Sequence, residues 1–348
     1  MAYSTISKPS LHFNTKLYTG NGSDNHAITG VGFQPDWLWI KKRNGSTNHN
    51  LFDVVRGNSK GIQSNSNGAE YTSTETQKTF DSDGFTLGVN GQVNGNSDTF
   101  VGWNWKANGQ GSSNTDGSIN TTYTSVNTTA GFSIVSFTGT GSNATVGHGL
   151  GVAPKVIITK SRANNENWGF YHESTGNEKQ LVLNNDGSLT GASSAYYNNT
   201  SPTSTVFSVG TADSTNDAAN MVAYCFAEKK GYSKFGTYKG NGNTEGSFIY
   251  TGFKPAFILL KDSTSVVSWT IYDDQRSSSG NNPTDKIFHP NNSNAENTAD
   301  NIDIVSNGFK CRTSVAGTNK NNATFIYMAF AAEPLVANVG QSIPATAR

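Results

Sequence analysis

The sequence predicts an all-β protein built from three tandem β-sandwich or jelly-roll-like repeats. Three observations carry that prediction. Asp, Glu, Lys and Arg make up only 14% of the chain, against roughly 25% in an ordinary soluble domain. The polarity comes instead from Asn, Ser, Thr and Gly, which favour turns and strands over helices. A short block recurs three times in one register, the signature of a repeated supersecondary unit. Its apolar runs are brief, rich in β-branched and aromatic residues, and punctuated by Pro, Gly and Asn, and no long window has helical periodicity.

The block opens on an aromatic residue and a Gly-x-Gly: YTGNG at Tyr18–Gly22, FTGTG at Phe137–Gly141 and YKGNG at Tyr238–Gly242. Seventeen residues after each aromatic stands Pro35, Pro154 or Pro255, three past Gly32, Gly151 or Gly252. Six past the proline is Lys41, Lys160 or Lys261, and fourteen past it is a large ring, His49, Trp168 or Trp269. Phe52, Tyr171 or Tyr272 follows, and then Asp53, His172 or Asp273. The runs WLWI, VIIT and FILL between proline and lysine read as a central strand buried on both faces. Each copy closes on an alternating strand, FVGWNWKA, MVAYCFAE or FIYMAFAA, which predicts one face in a core. The second halves are looser: FDSDGFTLGVN resembles DIVSNGFKCR, and the middle copy keeps only TVFSVG.

The expected organisation is an N-terminal arm with repeat one over 1–107, a Gly/Ser/Asn/Thr linker over 108–130, and repeat two over 131–230. Repeat three covers 231–333 and a polar tail 334–348. The linker suits either a flexible tether or an extended arm lying on a neighbour. The first residues lack an apolar stretch of signal-peptide length, and no apolar run is long enough for a membrane-spanning helix.

The recurrent glycines first have to be separated from a phosphate loop. Such a loop runs from a strand into a helix N-terminus, whereas each Gly-x-Gly here leads to a polar turn and another strand, so the glycines read as turn residues with positive φ. Zero net charge with no basic stripe argues against nucleic acid. The six histidines lack zinc-ligand spacing and the two cysteines, Cys225 and Cys311, lack a CxxC, so neither metal nor cofactor is expected and the cysteines read as buried thiols. One acid recurs per copy, Asp53 and Asp273, without the recurrent second carboxylate of a glycosidase, and no nucleophile motif is present. The chain is therefore expected not to be an enzyme. Lys41, Lys160 and Lys261 read as strand-end lysines facing water. The rings offer the one binding candidate. Trp168, Tyr171, Trp269, Tyr272 and Asp273 pair large aromatics with polar groups, the combination that stacks on a pyranose and bonds its hydroxyls.

Taken together, FNTKLYTGNGSDNHAITGVGFQPDWLWIKKRN, HNLFDVVRG, FDSDGFTLG and FVGWNWKA resemble a repeat of virion-associated proteins from marine bacteriophages. AGFSIVSFTGTGSNATVGHGLGVAPKVIITKSR and FIYTGFKPAFILLKDS resemble later copies of the same repeat. The likeness covers nearly the whole chain and implies a structural protein on the particle surface; it assigns no residue a role. The expected function is a tail-associated, fibre-like adhesin touching the host surface, with a capsid decoration or head-fibre protein as the alternative. The expected partners are other virion proteins, a host cell-surface glycan and further copies of the chain, without nucleic acid or membrane insertion.

Overall fold

A computed structural model describes residues 4–277 and 282–334; the tail beyond Pro334 lies outside them. The chain is all-β, and among the described residues the named strands pair with one another antiparallel. In the first third, β1 (Phe13–Thr19), β2 (His26–Thr29), β3 (Trp37–Lys42), β4 (Asn50–Asp53), β5 (Lys60–Gln63), β6 (Tyr71–Thr72), β7 (Gln77–Asp81) and β8 (Gly84–Leu87) precede a four-residue helix, α1 (Gly91–Asn94), and β9 (Thr99–Trp105). Next come β10 (Tyr123–Asn127), β11 (Phe132–Thr138), β12 (Ala144–Gly147), β13 (Val156–Ser161), β14 (Gly169–His172), β15 (Leu181–Val182), α2 (Ser194–Tyr197), β16 (Val206–Val209), α3 (Asp213–Asn216) and β17 (Asn220–Phe226). The last third holds β18 (Ser233–Lys239), β19 (Phe248–Tyr250), β20 (Phe253–Asp262), β21 (Thr270–Asp273), β22 (Thr284–Ile287), β23 (Asn297–Val305), β24 (Gly308–Cys311), α4 (Ala316–Asn319) and β25 (Thr324–Pro334).

One strand order underlies all three thirds. The inner sheets run β1-β9-β3-β4, β11-β17-β13-β14 and β18-β25-β20-β21. Each faces an outer sheet, of three strands in β2-β8-β7, two in β12-β16 and four in β19-β24-β23-β22, giving a sandwich rather than a barrel. Strand alternation then sorts the side chains. Leu38, Ile40, Phe85 and Phe100 fill the first sandwich, and Ile157, Phe207, Met221 and Ala223 the second. Their neighbours on the opposite face, Trp37, Trp39, Val156, Ile158, Phe257 and Leu259, enter one common core with Trp103, Trp105, Tyr224, Phe226, Met328 and Phe330. The three inner sheets therefore meet around a shared aromatic centre, where Trp37 stacks on Tyr224 at 4.6 Å and Phe13 on Phe330 at 5.6 Å.

The central strands β3, β13 and β20 are buried on both faces, as their unbroken apolar runs predict. The closing strands were expected to bury one face. Beyond its first residue, β9 and β17 bury both, because the second face meets the other two thirds instead of water. The stretch 108–130 lies along the protein. Tyr123–Asn127 pairs with β11, and Asp36 accepts Ala107 N at 2.7 Å and Gly109 N at 3.2 Å. Both cysteines are buried free thiols, matching their sequence reading.

Candidate functional site

The Gly-x-Gly turns are held by a residue the sequence reading passed over. A buried asparagine ends the helix before each closing strand: Asn94, Asn216 and Asn319. Its Oδ1 accepts the main-chain N–H between the glycines, Asn21, Thr140 or Asn241, at 2.9–3.0 Å. Its Nδ2 donates to carbonyls on both sides, as Asn216 does to Ser142 O (2.6 Å) and Gly210 O (2.7 Å). The second glycine of each turn has φ of 66°, 63° or 64°, open to glycine at no steric cost. Donors that an anion would need are consumed by this clamp, so the turn reading stands. The signal was present in the sequence as an Asn recurring five residues before Thr99, four before Asn220 and five before Thr324.

The lysines correct their expected place. Lys41, Lys160 and Lys261 are fully buried, and their ammonium groups donate to carbonyls of the loop that follows, as Lys160 Nζ does to Ser161 O (2.8 Å) and Asn164 O (3.2 Å). Burial lowers each pKa to about 8. They are internal loop staples, not edge lysines facing water, because the strand they end is central.

The proposed sugar platform is also corrected. Trp168, Tyr171, Trp269, Tyr272 and Asp273 are each at most 2% exposed, and a buried ring has no face for a pyranose. Trp168 Nε1 donates to Gln63 O in the first third, and Trp269 Nε1 to Val182 O in the second, both at 3.0 Å. His49, the equivalent ring, packs edge-on against Phe288 of the last third at 5.7 Å. The repeated ring thus reaches one neighbouring repeat in a cyclic order. Aromatic–polar pairing identified residues at an interface, but the interface is internal.

The recurrent acid belongs to the same seams. Tyr224 OH donates to Asp53 Oδ2 at 2.7 Å, and Trp103 Nε1 to Asp273 Oδ2 at 2.9 Å. Asp53 and Asp273 each pair with a buried arginine three residues on, Arg56 or Arg276. The networks extend through Glu70 to Arg162 and through Glu296 to Arg43, both at 2.9 Å. The remaining seam is neutral: His172 stands where the acid was, and its Nε2–H donates to Tyr327 O at 3.4 Å while Nδ1 accepts Ser174 N. Three main-chain bonds hold the cycle together: Glu70 N–H donates to Arg162 O, Glu296 N–H to Arg43 O and Leu189 N–H to Ser263 O.

Burial holds the pKa of His172 down at about 4, and that of His49 well below its usual value. A depressed histidine pKa costs nothing while both states are neutral. Stability is lost as pH falls below the unfolded value near 6.5. For His172 the loss reaches about 3 kcal/mol once the pH nears 4. Urea titrations at pH 7.5 and 5.0 are expected to show this drop, and His172→Gln is expected to shrink it.

Solvent-exposed rings occur elsewhere. On β19, Phe248 and Tyr250 are 51% and 48% exposed and, two residues apart, share the outer face. Lys234 Nζ lies 5.3 Å from the Tyr250 ring centre, within cation–π range. Lys310, paired opposite Phe248, bonds Glu245 at 2.6 Å. The equivalent positions are Ala27 and Thr29 on β2, and Thr145 and Gly147 on β12, so this ring pair is specific to the last third. Comparing the small second strands of the repeats would have found it. Among the described residues, no group of three or more His, Cys, Asp and Glu is placed to hold a metal, and no helix is long and apolar enough to cross a membrane.

A family model for a domain of unknown function (DUF7483) matches residues 8–334. The chain belongs to the DUF7483 family. The match runs from the N-terminal arm to the end of β25, so one DUF7483 unit takes in all three sandwiches and their common core. No curated protein and no solved structure matches the chain.

Proposed function

We propose that this DUF7483 chain is a non-enzymatic structural protein of a bacteriophage particle, tail-associated, that touches the host surface through its outer loops and strands. The reading rests on the sequence's resemblance to virion-associated repeats, and the observation that carries it furthest is the exposed Phe248–Tyr250 pair on a rigid sheet. A pair of rings two residues apart on one strand face presents flat apolar surface for stacking on the sugars of an envelope glycan, and repetition over a particle turns weak contacts into firm attachment. Three sandwiches locked on one core supply a stiff head for such contacts. Capsid decoration is the second reading, and it loses one support because the 108–130 stretch is occupied on its own protein.

Quantitative mass spectrometry of purified particles with gold-labelled antibody imaging tests the assignment. A few to a few dozen copies at the tail is the expected result; hundreds over the head would favour decoration, and absence from particles would overturn both. Phe248→Ala/Tyr250→Ala is expected to slow adsorption at least tenfold with an unchanged melting curve. Unchanged adsorption would remove this ring pair from host contact.

A further inference from the structure

The opening strand of each repeat has an outer edge, and the three thirds close that edge differently. His12 O accepts Lys106 N at 2.9 Å, and Gly20 N donates to Asp98 O at 2.8 Å. By antiparallel alternation the N–H and C=O groups of Phe13, Thr15, Leu17 and Thr19 therefore point away from β9. The equivalent groups of β11 belong to Phe132, Ile134, Ser136 and Thr138, and β10 pairs with the first three through Asn127, Ser125 and Tyr123. The chain reaches β10 past Asp36, which holds Ala107 N and Gly109 N, and Asn108 N donates to Ser125 Oγ at 2.9 Å. On β18, Ser233 N donates to Lys229 O at 2.9 Å and Phe235 N to Glu228 Oε2 at 3.4 Å. Lys155, in the Asp36 position of the second third, lies 3.5 Å from Glu228. On β1, among the described residues, neither a strand nor a turn takes the outward groups. The Asp36 position is here Ala256, and a cavity of about 490 Å³ lies between Phe13 and Thr15 on one side and Ala256, Ala331 and Pro334 on the other. Thr15 is 8% exposed, and its Oγ1 has no hydrogen-bond partner among the described residues.

We propose that the outer edge of β1 and this cavity form a docking groove for one extended, uncharged segment of a partner protein, added antiparallel to β1 as β10 is added to β11. Main-chain groups of three alternate residues on the segment meet Phe13, Thr15 and Leu17, and a polar side chain reaches Thr15 Oγ1. In strand addition the main-chain bonds supply affinity and the pockets for alternate side chains supply register. Lys8 and Lys254 line the cavity together with Asp274 and Glu333, so its formal charges balance and match a segment without net charge. The strand that fills the equivalent groove, YTSVN, carries none.

The probe is a fluorescently labelled synthetic peptide, TTYTSVNT, the sequence of residues 121–128, blocked at both ends and titrated into the full chain by anisotropy. Saturable binding is expected, with hydrogen exchange slowed at Thr15 and Leu17. N-methylation at the peptide residue equivalent to Ser125, which faces Thr15, is expected to weaken binding at least tenfold. N-methylation at the Val126 equivalent, whose N–H points the other way, is expected to leave it nearly unchanged. Thr15→Pro removes an N–H that β9 does not use, a position where an edge strand tolerates proline, and is expected to abolish binding while the fold persists. Four results would overturn the proposal: no saturable binding at millimolar peptide, equal loss from the two methylated peptides, intact binding in folded Thr15→Pro, or slow exchange at Thr15 and Leu17 in the chain alone, which would mean that the groove is already filled.

Discussion

Asp273→Ala is expected to cost about 3–5 kcal/mol, the range for removing one partner of a buried ion pair. The carboxylate accepts from Trp103 Nε1, from the Gln275 and Arg276 main chain, and from Arg276 Nε. Arg276 is fully buried, so deleting the acid leaves a guanidinium with Glu296 Oε2 at 3.2 Å and the Ile271 carbonyl as its remaining bonds. It also orphans the indole N–H that ties the first third to the last. The damage should come from the uncompensated charge more than from the lost contact, because a buried pair replaced whole is often tolerated. Asp273→Ala/Arg276→Met is therefore expected to recover a substantial part of the loss. Denaturant unfolding of the four species of this double-mutant cycle measures it; additive losses would show that the two side chains act independently. The His172 seam indicates that the protein itself uses the neutral solution once, where acid and arginine are both absent and Met328 stands in the place of Trp103 and Tyr224.

Gly139→Ala is expected to cost about 3 kcal/mol, the upper part of the usual overpacking range. A Cβ there would sit 2.0 Å from Asp217 O and 2.9 Å from Asn216 Oδ1. Neither atom can retreat easily: one is main chain, and the other is bonded to Thr140 N at 2.9 Å. The substitution therefore both collides and opens the asparagine clamp. Its equivalents behave alike, since a Cβ on Gly20 or Gly240 would meet a carbonyl oxygen at 2.2 Å. Gly191→Ala is the control, with nothing within 4 Å of its would-be Cβ, and it is expected to change stability by less than about 0.5 kcal/mol. Thermal and urea unfolding of both variants make the comparison; equal midpoints would show that the first glycine of the turn is not a close-approach residue.

Much of the local structure was legible because it depends on neighbours in the chain. An aromatic, a Gly-x-Gly and a Gly-x-x-Pro in fixed register specify a strand, a turn with positive φ and a second turn. An apolar run bounded by proline and polar residues specifies a strand with no wet face. The candidate sites were less legible. Trp168 and Trp269 have the residue chemistry of a sugar platform, and Lys41, Lys160 and Lys261 that of strand ends. What buries them is a partner far away in sequence: Gln63 for Trp168, Val182 for Trp269, and for the lysines the carbonyls of a loop that folds back. The exposed pair at Phe248 and Tyr250 escaped notice for the converse reason, since nothing in a three-residue strand announces that no element covers it.

The sequence by itself determined the all-β class, the repeated turns and the doubly buried central strands, since period, glycine and proline act within a few residues of where they stand. Only the tertiary structure decided that three inner sheets share one aromatic core, that the recurrent rings and acids seal the seams between sandwiches, and that one corner is left open at Ala256. Those outcomes depend on which faces meet across a hundred or more residues of chain, and the alternation of a strand tells how its faces differ without telling what each will touch.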